Sequence, residues 1–463
     1  MTSADPGPLA SGPTPTRGGP DRARRREHGR LERKRVPRRA HGSFSAGSGR
    51  ADPLHLVDAQ NRSRLPDIVP VRWGRMARSV FGWLRGSPVV MAHDLASTPT
   101  TSLTVQLCGD AHLLNFGLYG GSAHEQVFDI NDFDETHPGP FEWDVKRLAA
   151  SAVVAGGDAG FAPGVGVRAA QAAARAYRER MAGYATSSVR DVWYERIDVD
   201  EVLATIRPER RSTLERPATR ARERTQVALL PKLTELVGES RRIRDHPPLV
   251  HHLDDPLAAR AVHDLVDLYR GSVPHSVRPL VQRYEPVDVA MKVVGVGSVG
   301  TRCYVALLYG DGEENDPLFL QVKEAEASVL EEHVGPSPFG SGGERVVTGQ
   351  RMMQATSDIL LGWFGDGGHD YYVRQLRDEK ASVDMTRIAP EPFVRYAGLC
   401  GWVLARAHAR TGDPVAISAY LGRATVFDEA IADFAVAYAA TATRDHAALV
   451  DAVAEGRIGA VDA

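Results

Sequence analysis

The sequence is poor in cysteine and lacks both a long apolar run and a large net charge. Its three cysteines, Cys108, Cys303 and Cys400, are too few and too scattered for a disulfide framework or a clustered zinc site. No apolar run reaches the roughly 18 residues that a membrane-spanning helix needs. Lys and Arg number 56 and Asp and Glu 59, which excludes a chain-wide polyanion-binding surface. These absences predict a folded protein of a reducing compartment, and we expect it in the cytoplasm.

The positive charge is concentrated at the start of the chain. Residues 1–50 hold 12 Lys and Arg against 4 Asp and Glu, with 6 Pro, 8 Gly and one aromatic residue, Phe44. Such a segment buries too little apolar surface to offset its chain entropy, so we predict a disordered basic tail. The tail is interpreted as solvated, with contact to nucleic acid or an anionic membrane as the alternative. No apolar stretch follows the arginines, so we expect no signal peptide.

The remaining sequence predicts an α+β protein in three segments. Residues 51–283 read mainly as helices, and they carry the first group of polar motifs described below. Residues 284–380 contain alternating and β-branched stretches typical of strands, and residues 381–463 return to a helical pattern. We therefore expect a helical lobe built from the first and third segments and a smaller β-rich lobe inserted between them.

The first motif group lies in residues 108–144. In GDAHLLN, Asp110 and Asn115 stand at D-x4-N spacing, and DINDFDE follows with Asp132. Carboxylate and amide oxygens are the ligands that Mg²⁺ prefers, and phosphotransferases of the kinase type need an Asp for the acceptor hydroxyl, with an Asn and a second Asp on the metal. Asp132 fits the D-F-D pattern better, whereas Asp129 fits the usual loop length better. Both therefore stay candidates for the metal ligand beside Asn115.

The second motif group lies in residues 293–376. Gly295, Gly297, Ser298 and Gly300 form G-x-G-S-x-G between two predicted strands, an arrangement in which the backbone can approach phosphates closely. The following segment reads as a strand instead of a helix, which argues against a dinucleotide-binding fold and favours a glycine-rich loop over ATP. Lys323, one of only six lysines, lies in the apolar strand LFLQVKEA and is expected to contact the α and β phosphates.

A lysine in this role needs a glutamate partner from the next helix. Four glutamates follow it within reach of that helix: Glu326, Glu331, Glu332 and Glu344. Glu344 opens the helix that immediately precedes the next predicted strand, so we expect it to be the partner.

The first motif group resembles aminoglycoside-phosphotransferase-like kinases. GDAHLLN is similar to their HGD-L-H-x-x-N loop, with Cys108 in place of the histidine, and DINDFDE is similar to their I-D-F-D segment. GPFEWDVKRLAAS is similar to the helix that follows. The resemblance implies that Asp144 on this helix supports the backbone of the catalytic loop. His408 lies on a helix similar to the one that ordinarily leads into HGD, and we expect it to be a packing residue.

Longer strings are similar to a bacterial family described as domain of unknown function 2252. They are QLCGDAHLLNFG, FDINDFDET, GPFEWDVKRLA, VVGVGSVGTRCYV and LCGWVLARAHAR, within residues 65–455. This second resemblance adds little about function to the kinase-like one.

The motif order is the reverse of that in an ordinary kinase, because Asp110 precedes Gly295 by about 185 residues. The first half has catalytic groups without a glycine loop, and the second has a glycine loop and lysine without a second catalytic loop. We therefore favour a circularly permuted, two-lobed kinase-like fold, a rearrangement that domains with neighbouring termini tolerate. The alternative is two unrelated domains with coincidental motifs.

The expected function is ATP-dependent phosphoryl transfer with Mg²⁺ to a hydroxyl of a small molecule. His112, two residues after Asp110, favours a small acceptor because protein kinases carry a lysine there. Two other classes stay open. One is a nucleotide-binding regulator without turnover, suggested by Cys108. The other is a metal-dependent phosphohydrolase that uses Asp129, Asp132, Asp134 and Glu135. The residues do not decide between phosphoryl and nucleotidyl transfer.

Overall fold

The computed structural model describes residues 21–47, 49–121, 126–198, 226–238, 240–252, 266–293, 295–311, 315–376, 383–385 and 387–461. The elements before the first large gap are α1 (Arg22–Arg35), α2 (Pro53–Asn61), α3 (Val69–Ala77), α4 (Val80–Gly86), α5 (Pro88–Ala96), β1 (Thr104–Leu107), β2 (Phe116–Gly120), β3 (Gln126–Ile130), β4 (His137–Pro140), α6 (Phe141–Asp158), α7 (Pro163–Tyr184) and α8 (Val189–Tyr194).

The middle elements are α9 (Gln226–Leu233), β5 (Thr234–Val237), β6 (Ser240–Ile243), β7 (Val250–His251), α10 (Arg278–Val281), β8 (Tyr284–Lys292), β9 (Cys303–Gly310), β10 (Pro317–Glu324), α11 (Glu331–Val334), α12 (Gly342–Met353), β11 (Gly362–Gly365) and β12 (Asp370–Gln375). The last three helices are α13 (Pro390–Thr411), α14 (Pro414–Leu421) and α15 (Val426–Ala454).

The chain is an α+β protein with one antiparallel sheet of six strands. The strand order is β11-β12-β10-β9-β8-β7, so neighbours in space are also close along the chain. Val322 of β10 pairs with Tyr304 of β9 on one side and Val373 of β12 on the other. The apolar side chains that alternate along these strands bury against two clusters, one on each face of the sheet. Strand β10 thus has a neighbouring strand on each side, and the side chain of its Lys323 is almost completely buried.

Helices α6, α7, α13 and α15 form the main helical core, on which two small two-stranded sheets lie. One sheet pairs β1 with β4, and the other pairs the consecutive strands β2 and β3. Pro138 and Pro140 precede α6, and α7 and α13 each have proline in the first turn, where its missing N–H costs no hydrogen bond. Among the helices of the described ranges, none is long and apolar enough to cross a membrane.

The prediction of a disordered tail over residues 1–50 is wrong for residues 21–47. Helix α1 packs on α14, where Arg25 pairs with Asp413 through bonds of 2.8 and 2.6 Å. A Cβ on Gly29 would lie 2.0 Å from the carbonyl oxygen of Ala416, so the two helices approach closely. Arg50 also contacts the helical core, pairing with both Asp94 and Asp445. Ion pairs and hydrogen bonds to backbone carbonyls hold this segment in place. A prediction that counts only the apolar residues available for burial does not detect such contacts. Residues 1–20 lie outside the described part.

The predicted lobe boundary at residue 284 is also misplaced. Val250 of β7 pairs with Lys292 of β8, so the sheet recruits residues before 284. In α9, Gln226 accepts a hydrogen bond of 2.9 Å from the backbone N–H of Phe319 in β10. The sheet-associated part therefore begins by residue 226. Its predicted end at residue 380 falls among residues 377–382, which the structure does not describe.

Candidate functional site

A cavity of about 120 Å³ lies where the sheet meets the helical core. The predicted site residues on its wall are Asp110, Asn115, Asp132, Gly295, Gly297, Ser298 and Lys323. The other lining residues are Arg85, Pro88, His112, Asp134, Glu135, Val296, Gln321 and Arg374. The two motif groups, distant in sequence, thus face one another across a single polar cavity.

Asp110 reaches the cavity from the loop that follows β1. The preceding residue, Gly109, has φ +81°, and a Cβ there would lie 2.1 Å from the carbonyl oxygen of Glu135. Only glycine allows this turn and this close approach. Burial raises the pKa of Asp110, and the Arg147 guanidinium opposes the shift. Arg147 Nε donates to Asp110 Oδ1 at 2.6 Å, so the Asp110 carboxylate has an ion-pair partner within the protein itself.

Asp144 supports the loop that carries Asp110. Its Oδ2 and Oδ1 accept hydrogen bonds from the backbone N–H groups of Cys108, at 2.8 Å, and Gly109, at 3.1 Å. This is the contact that the family resemblance implies. His408 Nε2 lies 3.2 Å from Asp144 Oδ2, and its Nδ1 lies 2.9 Å from the Tyr177 hydroxyl. His408 is thus fully enclosed in a structural network and faces no ligand.

Asn115 and Asp132 are the residues that could hold a magnesium ion. Asn115 Nδ2 donates to the carbonyl oxygen of Asp110 at 2.7 Å, which fixes the amide at the cavity wall. Asp132 Oδ1 accepts from the backbone N–H of Asp134 at 3.2 Å, and the Asp132 carboxylate has no ion pair among the described residues. No group of three or more His, Cys, Asp or Glu side chains is arranged for a metal in the described ranges. Magnesium in kinase-type sites needs only one or two protein carboxylates, because substrate phosphates complete its shell.

Asp129 is not a metal ligand in this structure. Arg406 Nη2 contacts both of its oxygens, at 2.6 and 2.7 Å. The backbone N–H groups of Ile130 and Ala355 also donate to the carboxylate, each at 2.9 Å. Asp129 is 1% exposed and does not line the cavity. The interpretation of Asp129 as a metal candidate is therefore wrong, since its oxygens are already used in joining β3 to α13.

Lys323 forms what we call the lysine cluster with Asp134, Tyr372 and Ser298. Lys323 is ion-paired with Asp134 Oδ2. The Tyr372 hydroxyl donates to Asp134 Oδ1 at 2.7 Å, and the Ser298 hydroxyl donates to Oδ2 at 3.0 Å. Burial alone lowers the pKa of Lys323, but the Asp134 charge outweighs it and holds the pKa above its usual value. The lysine is therefore charged and held in place beside the glycine loop.

The prediction that Glu344 partners Lys323 is wrong. Glu344 is the third residue of α12, and its backbone N–H donates to the Ser341 hydroxyl at 3.1 Å. Its own carboxylate accepts from the backbone N–H of Gly340 at 3.0 Å. This is a helix-capping arrangement. Asp134, twenty-four residues after Asp110 in the other motif group, takes the place of the expected glutamate as the lysine's partner.

The glycine-rich loop is held against the helical core. Gly295, Gly297 and Ser298 line the cavity, whereas Gly300 does not. The carbonyl oxygen of Gly300 accepts from the backbone N–H of Leu65 at 2.8 Å. Arg64 Nη1 donates to the carbonyl oxygen of Val299 at 2.5 Å. Gly300 thus anchors the loop, and residues 295–298 form the cavity wall.

Several functional candidates escaped the sequence reasoning. Arg374 Nε donates to Gln321 Oε1 at 3.0 Å, and both side chains line the cavity beside Lys323. Burial raises the pKa of Glu135 to about 7, only partly opposed by Arg345. Arg85 comes from α4, far from either motif group. In a chain so rich in arginine, no local pattern distinguishes Arg85 or Arg374 from the others.

Comparison with known proteins gives a family but no characterised relative. Neither curated proteins nor solved structures include a match to this chain. The family model described as "Uncharacterized protein conserved in bacteria (DUF2252)" matches residues 64–452, which span nearly all of the sheet and helical core. The chain therefore belongs to the DUF2252 family.

Proposed function

We propose that this protein is an ATP-dependent phosphotransferase that acts on a hydroxyl group of a small molecule. The observation that carries the proposal is the shared cavity, in which Lys323 and the glycine loop lie opposite Asp110, Asn115 and Asp132. The glycine loop joins β8 to β9, the lysine lies on the next strand, and a helix follows that strand. This is the order of parts in the ATP-binding lobe of kinases. It supports a kinase-like fold whose chain has been circularly permuted.

The residues around the cavity are suited to positioning and charge stabilisation, which supply most of the rate in phosphoryl transfer. Lys323 and the N–H groups of the glycine loop would bind the nucleotide phosphates. Asp110 would orient the acceptor hydroxyl and receive its proton. The acceptor oxygen then bonds to the terminal phosphorus as the bond to the β-phosphate oxygen breaks, and ADP leaves. Asn115 and Asp132 would hold Mg²⁺, which when bound neutralises phosphate charge.

The regulator alternative keeps one supporting observation. Arg147 contacts the Asp110 carboxylate, so an acceptor hydroxyl would have to compete with this guanidinium for the same oxygens. A regulator of this kind binds ATP without consuming it. The hydrolase alternative fares less well, because half of its carboxylates are already ion-paired. Asp129 is bound by Arg406 and Asp134 by Lys323, which leaves Asp132 and Glu135 without an ion pair among the described residues.

Calorimetric titration of Mg²⁺–ATP tests the proposal on wild type, Lys323→Met and Lys232→Met. Lys232 is exposed on α9 and serves as the matched control. We expect saturable binding that weakens at least about tenfold in Lys323→Met, because a charge-assisted contact to phosphate is lost. Lys232→Met should bind like wild type. Circular dichroism confirms that each variant is folded.

Radiolabelled ATP with a panel of hydroxyl compounds then separates transferase from regulator. Transfer that falls about 10²–10⁴-fold in Asp110→Asn, with ATP binding retained, supports the transferase. Binding without consumption under any acceptor supports the regulator. No binding to folded wild type would rule out both readings.

A further inference from the structure

Arg85 is a cation at the cavity wall for which the described residues supply no partner. Its guanidinium makes no hydrogen bond or ion pair within those ranges, and its Nε is buried without an acceptor. Its one aromatic neighbour is Phe81, whose ring centroid is 5.8 Å from the guanidinium carbon. Arg147 and Arg406, by contrast, are each paired with a carboxylate. Arg85 is half-buried, and the nearby Asp110 and Asp132 carboxylates favour its charged form without bonding to it. A charged guanidinium without a hydrogen-bond partner at a cavity wall is able to bind an anionic ligand.

Arg85 lies close to the carboxylate that would receive the acceptor's proton. Arg147 Nη2 donates to the carbonyl oxygen of Leu84 at 2.8 Å, and the same group contacts Asp110 Oδ1 at 2.5 Å. Arg147 therefore ties the residue before Arg85 to Asp110. On its other side, the Arg85 carbonyl oxygen is 3.4 Å from the position that a Cβ on Gly297 would take. Arg85 thus lies between Asp110 and the glycine loop.

His112 offers a second unsatisfied polar group beside Asp110. Its Nδ1 is buried without a hydrogen-bond partner, and its Nε2 lies 3.7 Å from Asp110 Oδ2. Burial lowers the pKa of His112 well below its usual range, and Arg85 and Arg147 lower it further. The ring is therefore neutral and able to donate one hydrogen bond. We call Arg85, His112, Asp110 and Arg147 the arginine cluster.

The cavity has room for a small group, and its wall carries charges of both signs. Its volume of about 120 Å³ is close to that of protein cavities that admit a benzene-sized molecule, roughly 150 Å³. The cations on the wall are Arg85, Lys323 and Arg374, and the carboxyl groups are Asp110, Asp132, Asp134 and Glu135. Lys323, Arg374 and the glycine loop already face the space on the sheet side, where the nucleotide phosphates are proposed to bind. Arg85 comes from the helical core, where it lies between the acceptor carboxylate Asp110 and the glycine loop. An arginine fork binds carboxylate and phosphate oxygens in pairs.

We infer that Arg85 binds an anionic group of the acceptor, so that the substrate is a hydroxyl compound already carrying a phosphate or a carboxylate near the hydroxyl. This inference rests on the proposed function and specifies its substrate class. His112 would donate a further hydrogen bond to the same group. The competing role for Arg85 is a contact to the terminal phosphate of ATP itself.

Titration of small anions in the presence of a bound nucleotide analogue separates the two roles. Inorganic phosphate and, separately, acetate are titrated calorimetrically into protein saturated with Mg²⁺ and either ADP or the non-hydrolysable analogue AMP-PNP. The variants are Arg85→Met, Arg85→Lys and the control Arg62→Met, whose side chain is exposed on the surface. Arg85→Lys keeps the positive charge but cannot form the paired hydrogen bonds of a guanidinium. It therefore takes the place of Arg85→Met in the test if Arg85→Met does not fold.

We expect an anion to bind with AMP-PNP present and to lose at least about tenfold in affinity in Arg85→Met, with Arg62→Met unchanged. Preference for phosphate over acetate, or the reverse, then identifies the anionic group. Binding with ADP that disappears with AMP-PNP would assign Arg85 to the terminal phosphate and overturn the inference. Anion binding whose affinity is unchanged in Arg85→Met, or no anion binding at all, would also overturn the inference.

The same titrations distinguish failure of the inference from failure of the proposed function. If AMP-PNP binds but no anion does, the acceptor inference fails and the phosphotransferase proposal stands. If the analogue does not bind at all, the phosphotransferase proposal fails. If phosphate then binds to the nucleotide-free protein, and Arg85→Met weakens this binding, Arg85 forms an anion site that serves a reaction other than phosphoryl transfer from ATP.

Discussion

In the lysine cluster, Lys323 is paired with Asp134, and both oxygens of that carboxylate are also bonded by Tyr372 and Ser298. In the arginine cluster, Arg85 and the Nδ1 of His112 have no partner among the described residues, although Asp110 is close to both. Each cluster contributes residues to the wall of the same cavity. In the lysine cluster the charges are paired and should contribute to stability, whereas in the arginine cluster Arg85 is left without a hydrogen bond or ion pair in the described chain and should cost stability. This difference is the basis for the proposed anion site at Arg85.

The largest expected effect comes from breaking the lysine cluster. Asp134→Asn leaves Lys323 charged and buried with no counter-charge, so the free energy of unfolding should fall by about 3 kcal/mol. Urea unfolding measures the change. Asp132→Asn is the matched control, since Asp132 lines the same cavity without an ion pair in the described part, and it should change stability by less than about 1 kcal/mol.

A double variant sharpens the same comparison. Lys323→Met combined with Asp134→Asn removes both charges and should recover most of the lost stability. If Asp134→Asn alone is as stable as wild type, the lysine cluster does not hold the cavity together and the contrast with the arginine cluster is wrong.

The next effect concerns Glu135, the carboxyl group between the two clusters. Its pKa of about 7 in the folded protein exceeds the ordinary value, so the folded chain binds this proton more tightly than the unfolded chain. The free energy of unfolding should therefore fall as pH rises from about 4.5 to 7, by about 2–3 kcal/mol, and stay level above that range. Glu135→Gln should remove this part of the pH dependence, measured by urea unfolding at several pH values. An unchanged slope would show that Glu135 is ionised throughout.

The smallest expected effect has the opposite sign. Arg85→Met replaces a half-buried charge that has no hydrogen bond or ion pair in the described chain with an apolar side chain of similar length. The free energy of unfolding should therefore rise, by about 1 kcal/mol. Thermal unfolding measures it, with Arg62→Met as the control. A marked loss of stability in Arg85→Met would mean that Arg85 is already satisfied within the protein, which contradicts the contrast between the clusters.

Sequence motifs located much of the candidate site because the groups within each motif are local. Asp110 and Asn115 are five residues apart, and the bond from the Asn115 amide to the Asp110 carbonyl forms within one loop. Lys323 stood out as a rare lysine in an apolar strand. The α+β class followed from the change in periodicity near residue 284, although the sheet extends to earlier residues.

The errors all concern contacts between residues far apart in the chain. Glu344 is expected to be the partner of Lys323 because it opens the next helix, but Asp134, 189 residues away, is the partner. The motif pattern favours Asp132 and the loop length favours Asp129, and the choice depends on Arg406, which is 277 residues from Asp129. The arginines of α1 read as a solvated tail because their partners, such as Asp413, are 388 residues away.

By itself, the sequence determined which residues are chemically equipped for phosphoryl transfer, since loop glycines, a lysine in a strand and an Asp–Asn pair are properties of short segments. Tertiary structure alone decided which charges are satisfied. Helix packing places Arg406 on Asp129 and Arg147 on Asp110, and it leaves Arg85 without a partner in the described chain. The physical reason is that the free energy of a buried charge depends on the groups within a few ångströms of it, and in this fold those groups come from separate segments of the chain.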